Sequence, residues 1–99
     1  MEEEKKPEIK VEIDENTANG VYVNLAMIGH SEDEFVLDFI FLQPRSPKAK
    51  VRSRVITSAG HAKRLMAALK DNIEKYEARF GEIKAGVTPD QSKKVGFYH

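Results

Sequence analysis

The chain contains no cysteine. That removes a disulfide framework, a thiolate metal site and a cysteine nucleophile together. It has no run of about 18 apolar residues, so it offers no membrane-spanning helix. It also lacks a Gly-x-Ser-x-Gly elbow and a phosphate-binding glycine loop. No catalytic constellation is found, and an enzyme is not expected. An excess of one charge is missing as well, because 16 basic residues balance 16 acidic ones. Behind Met1-Glu2-Glu3-Glu4-Lys5-Lys6 there is no apolar stretch, so no signal peptide is expected and a soluble cytoplasmic protein is the default reading. The 99 residues allow one small domain. A domain of this size buries only about 60–65% of the surface its unfolded chain exposes.

The zero net charge hides a division. Residues 1–44 hold 11 acids and 3 bases, a net of −8, and residues 45–99 hold 13 bases and 5 acids, a net of +8. Halves of opposite sign attract one another within one chain or between two copies, and they leave one acidic and one basic surface.

Along the chain, residues 1–8 are charged and carry Pro7, and read as a disordered tail. Ile9-Lys10-Val11-Glu12-Ile13 alternates apolar and charged, the period of a half-buried strand, and is expected as an extra edge strand on the chain's own sheet or on a partner's. Asp14 to Gly20 is turn chemistry, and Asn19-Gly20 suits a positive φ. Three strands follow, over Val21–Gly29, Phe35–Gln43 and Ala49–Thr57. A five-residue loop between the first two sets Gly29 opposite Phe35, Met27 opposite Leu37 and Leu25 opposite Phe39. This places the strongest apolar faces on one side. In the second hairpin the same reasoning sets Asp38 across from Arg54 as a cross-strand ion pair.

Residues 58–81 read as one helix, capped by Thr57 or Ser58 and ended by Gly81. Ala62, Met66, Leu69, Ile73, Tyr76 and Phe80 recur at spacings of 4, 3, 4, 3 and 4, which is an a/d seam, and Leu65 widens it. From Lys84 onward the pattern stops, so 84–99 reads as a flexible tail with Val95, Phe97 and Tyr98 near its tip. The expected fold is α+β, with residues 9–83 forming a single domain. It is an antiparallel meander of three to four strands, with one long C-terminal helix packed on one face. The expected core is Val21, Val23, Leu25, Met27, Phe35, Leu37, Phe39, Phe41, Val51, Val55, Leu65, Met66, Leu69, Ile73, Tyr76 and Phe80.

Two stretches carry a family resemblance. One is Gly20 to Phe39, which includes the hairpin His30-Ser31-Glu32-Asp33-Glu34-Phe35. The other is Ala49-Lys50-Val51-Arg52-Ser53-Arg54, running on into His61-Ala62-Lys63-Arg64. Together they resemble a group of small bacterial and archaeal proteins known only as domain-of-unknown-function family 3467, over about residues 9–83. Members often carry proline after His-Ser, and here that position is Glu32. The resemblance implies a soluble prokaryotic protein and the order strand-strand-strand-helix. It implies no activity, since the family has none assigned.

Four candidate sites stand out. A zinc site would need His30, His61 and a carboxylate such as Glu34. Local hydrogen bonding accounts for both histidines, and no metal or cofactor is expected. Asp38 is a charged residue within an apolar strand, and pairing with Arg54 or Arg52 accounts for it. The basic row Arg45, Lys48, Lys50, Arg52 and Arg54, followed by Lys63 and Arg64, is the best candidate for binding phosphates. Tyr22 is expected on the same face, where it would stack on a base. Finally, Val36, Ile40, Leu42 and Ile56 lie on the second sheet face, which one helix cannot cover. They are expected to form an oligomer face. The leading expectation is a non-enzymatic binding or assembly module acting as a small homodimer, with a protein or peptide as a further partner. The alternative is a nucleic-acid-binding module using the basic row. No membrane partner is expected.

Overall fold

A computed structural model describes residues 7–86. Its elements are α1 Glu15–Ala18, β1 Leu25–His30, β2 Glu34–Leu42, β3 Ala49–Ser58 and α2 Ala59–Phe80. The strands make one antiparallel sheet in the order β1-β2-β3, followed by the long helix, so the α+β class is as expected. The chain divides between Thr57 and Ser58 into a sheet unit and a helix unit. The expected positions Val95, Phe97 and Tyr98 lie outside the described residues.

The stretch read as a turn before the sheet holds one helical turn, α1. Asp14 caps it by accepting a hydrogen bond from the Thr17 N–H at 3.3 Å, and Gly20 leaves it at φ +76°. Upstream, the expected extra edge strand is not part of the sheet. Ile9, Val11 and Ile13 are all exposed, Val11 at 91%.

The register of β1 on β2 differs from the expectation by one residue. Leu25 pairs with Ile40, Met27 with Asp38 and Gly29 with Val36. Two local causes are visible. The loop is tighter than five residues: Ser31 N–H donates to Glu34 O at 2.9 Å, while the Ser31 hydroxyl accepts from the N–H groups of Asp33 and Glu34. At the other end, the Asn24 N–H donates to the carbonyl of Ile40, the residue that pairs with Leu25. Two residues thus stand opposite one, the count of a β-bulge. The Asn24 side chain then holds Leu42 from both sides, accepting from its N–H at 2.8 Å and donating to its carbonyl at 3.0 Å.

As a result, Leu25 and Met27 share a face with Val36, Asp38, Ile40 and Leu42. Ala26, Ile28 and His30 share the other with Phe35, Leu37, Phe39 and Phe41. Of the expected core, Leu37 is buried, while Val23, Leu25, Met27, Phe35, Phe39, Phe41 and Val51 are half-buried. Val21 and Val55 are exposed. Ile40, expected at an oligomer face, is the most deeply buried side chain described, at 2% exposure. The expectation failed because both faces are apolar, so alternation alone does not select between registers one residue apart.

The turn after β2 has proline at its second position and Arg45 at its third with φ +62°. Ser46 N–H closes it onto Gln43 O at 3.3 Å. That is the pattern of a type II turn, whose third position favours glycine. β3 runs directly into α2, where the Ser58 hydroxyl accepts from His61 N–H at 3.1 Å and forms the N-cap. Gly81 ends the helix at φ +96°, and its N–H donates to Glu77 O at 2.9 Å. Glu77 also accepts from the Ile83 N–H through its carboxylate at 2.8 Å, tying down the chain beyond the helix. Asp71 and Lys75 form an i,i+4 ion pair at 2.9 Å. No residue of α2 is buried. Leu65, Met66, Leu69, Ile73, Tyr76 and Phe80, all expected in the core, are exposed.

Two substitutions should move stability in opposite directions. Ser58→Ala removes the cap and should destabilise by about 1 kcal/mol. Arg45→Gly relieves a left-handed backbone and should be neutral or stabilising by up to about 1 kcal/mol. Urea unfolding followed by circular dichroism measures both. A stable Ser58→Ala protein would contradict the cap, and a clearly weakened Arg45→Gly protein would contradict the turn.

Candidate functional site

The centre of the sheet carries one polar contact. Asp38 lies on β2 with 6% of its surface exposed, between Met27 of β1 and Arg54 of β3. Arg54 donates to it in bidentate fashion, Nε to Oδ1 at 2.7 Å and Nη2 to Oδ2 at 2.8 Å. The parallel fork matches the carboxylate geometry and makes short, charge-assisted bonds. Arg54 remains about half exposed along its side chain, at 52%. Hydrogen bonding from Arg54 is the chief reason the Asp38 carboxyl is held below its ordinary value of 3.8, and the guanidinium charge adds to it, against an opposing effect of burial. Asp38 is therefore ionised at neutral pH and is unsuited to giving up a proton. It acts as the counter-ion of Arg54.

That contact fixes which way the basic row faces. By alternation along β3, Lys50, Arg52 and Ile56 share the face of Arg54. Lys50 and Arg52 are exposed and form no ion pair with a described residue. Arg45 and Lys48 lie in the exposed turn before β3, where Ser46 Oγ accepts from the Lys48 N–H at 3.3 Å. Lys63 and Arg64 belong to the first turns of α2, and both are exposed. Tyr22 does not join them. Its ring packs edge-on against Phe41 with centroids 6.2 Å apart, and Phe41 lies on the face opposite Asp38. The expected stacking platform beside the basic row is thus absent, because the one-residue shift of register puts Tyr22 on the face of Ala26 and Ile28.

The expected oligomer face is broken up in the same way. Ile40 is buried, Val36 and Leu42 are half-buried, and only Ile56 is exposed. Of the two described histidines, His30 has a ring partner, and His61 bonds to Ser58 through its backbone N–H. The His30 ring stacks on Phe35 at 5.3 Å, and His61 sits in the first turn of α2. Among the described residues, no group of three or more His, Cys, Asp or Glu is arranged to hold a metal ion. None of the described helices is long and apolar enough to cross a membrane.

A further exposed apolar surface lies on α2. Its 22 residues make a rod of about 33 Å. The heptad positions Met66, Leu69, Ile73, Tyr76 and Phe80 run along one side, all exposed, Phe80 at 66%. Near the C-terminus the Tyr76 and Phe80 rings lie 5.0 Å apart, and the Arg79 guanidinium stands 5.2 Å from the Phe80 centroid. The seam was legible in the spacing, but its exposure was not, since periodicity says which residues share a side and not what meets them. The role of Asn24 was missed. Its one sequence signal is an amide side chain within an apolar strand.

A three-stranded antiparallel sheet followed by a long capped helix defines a small α+β domain. The chain belongs to the family described as Protein of unknown function (DUF3467), which matches residues 1–85. No curated protein and no solved structure matches it.

The Asp38–Arg54 pair makes stability depend on acid pH in a defined direction. Because the folded-state pKa of Asp38 is lowered, its contribution is fully present above the ordinary value of 3.8. It fades as pH falls below that value and is gone once pH passes the lowered folded value. Asp38→Asn should remove this share of the acid sensitivity and lower stability at pH 7. Urea midpoints between pH 7 and pH 2 test it: a variant with the wild-type midpoint at pH 7 and the wild-type acid slope would contradict the pair.

Proposed function

We propose that this chain is a non-enzymatic assembly module that acts as a homodimer or small homo-oligomer, joined through the seam of α2. The observation that carries the reading is the exposed run Met66, Leu69, Ile73, Tyr76 and Phe80 at heptad spacing. A strict a/d repeat matches a second helix of the same period, whose side chains fill the holes between its own. A second copy supplies that partner through one isologous contact, with no other gene product needed. Contiguous exposed apolar surface of this kind marks an interaction site on a small domain. A protein or peptide with a matching amphipathic helix is a further partner for the same seam. The cysteine-free composition is in keeping with a reducing, cytoplasmic setting.

Nucleic-acid binding is the second reading. It draws on the exposed Lys50 and Arg52 and on the basic turn before them. The reorientation of Tyr22 weakens it, because no aromatic ring of β1 or the residues before it is left beside those cations for a base to stack on. Salt-sensitive gel shifts with single- or double-stranded oligonucleotides would favour this reading over assembly.

Light scattering at tens of micromolar should give twice the chain mass or more. Leu69→Glu and Ile73→Glu together should return the mass to one chain, because charges on a buried seam are left unpaired. A wild-type protein that scatters as one chain at that concentration would overturn the proposal.

A further inference from the structure

We propose that residues Glu8–Asp14 of one copy add as a fourth strand along the outer edge of β3 in a second copy. This rests on the self-association put forward above and names a contact within it.

The segment has the chemistry of a strand without the partner of one. Ile9, Val11 and Ile13 project to one side, and Glu8, Lys10, Glu12 and Asp14 to the other. Its three apolar residues are exposed, and no hydrogen bond joins residues 8–13 to another described residue. At about 3.3 Å per residue the seven positions span roughly 23 Å, most of the length of β3.

β3 is the edge that fits. With β2 as the central strand, β3 is paired on one side only, so its outer backbone groups have no strand partner among the described residues. An edge of this kind accepts a further strand through its main-chain hydrogen bonds. The two faces of β3 match the two sides of the segment. Val51 and Val55 lie on one face, for Ile9, Val11 and Ile13. Lys50 and Arg52 lie on the other, for Glu8 and Glu12. The other edge, β1, is shorter at six residues and contains no lysine or arginine, and Glu32 and Asp33 of the turn beside it are followed by Glu34 at the start of β2. An acidic strand is repelled there and attracted at β3. The charge division of the chain, −8 before residue 45 and +8 after it, then acts between copies. Reciprocal addition is isologous and closes at two chains. It also covers an edge that would otherwise invite open-ended pairing.

Because the chain has no cysteine, a single introduced one labels a single place. Ser53→Cys carrying a nitroxide is mixed with isotope-labelled wild-type protein, and amide signals are read from the wild-type copy. Signals of Ile9, Val11 and Ile13 should fall several-fold and return when the nitroxide is reduced. Lys48→Cys serves as a second label site in case a group at Ser53 blocks the strand. Glu8→Lys with Glu12→Lys in the observed copy should weaken the broadening, and Lys50→Glu with Arg52→Glu in the labelled copy should restore it. A dimer by light scattering that shows no broadening from either site overturns this contact and leaves the helix-mediated assembly standing. Broadening only when label and isotope share one chain means that the segment closes its own sheet, which also overturns it. A single-chain mass overturns both readings.

Discussion

A sheet of three strands has two faces and two edges, and this chain sends apolar side chains to both faces. Among the described residues only Leu37 and Ile40 are buried hydrophobic side chains. The free energy of folding in a small domain comes mainly from apolar area removed from water, at about 25 cal/mol per Å². With so little area removed, the aliphatic and aromatic side chains left in solvent weigh most heavily on the stability of the single chain. Every other feature is arranged around that constraint. The seam of α2 runs uncovered, and Ile9, Val11 and Ile13 alternate along a segment with no partner.

Polar contacts take over where hydrophobic patterning is ambiguous. A one-residue slip of a two-sided sheet exchanges one apolar face for another, so burial hardly opposes it. Here the register is held by groups that have only one good partner. Asn24 grips both backbone groups of Leu42, Ser31 closes the hairpin, and Arg54 forks onto Asp38. The last of these is bidentate and seats its carboxylate in the most buried part of β2, so it ties β2 to β3 in one alignment. A neighbouring alignment would part the two side chains and leave the sheltered carboxylate without its counter-ion.

The parts of the fold legible in the sequence were those set by local chemistry. The three strands of the sheet followed from alternation, though the same signal over Ile9–Ile13 gave no strand of it, while the helix followed from its 4-3-4-3-4 spacing and its ends from Ser58 and Gly81. The Asp38–Arg54 pair was readable because one charge stood in an apolar strand with a cation at a plausible register. The first hairpin was misread for a physical reason: faces were matched by hydrophobicity, and the bulge at Asn24 and the serine-held loop outweighed that match. The error at Tyr22 descends from this single shift, which reverses the faces of β1 against β2, and the same shift brings Leu25 and Met27 onto the face of Ile40. Burial along the helix was not legible, because a periodic apolar stripe states which residues share a side and not what covers them.

Family membership leaves the activity open, and self-association is the reading proposed for it. Asp38 is held ionised by Arg54, the histidines stack or lie in a helical turn, and the unmet surfaces are apolar or of opposite charge. The central claim is that a second copy completes this fold. It is tested most directly by following thermal unfolding over a hundredfold range of protein concentration. Association that favours the folded state must raise the midpoint as concentration rises. The account predicts a midpoint that climbs steadily with the logarithm of concentration. A single cooperative transition at one temperature throughout that range would contradict it.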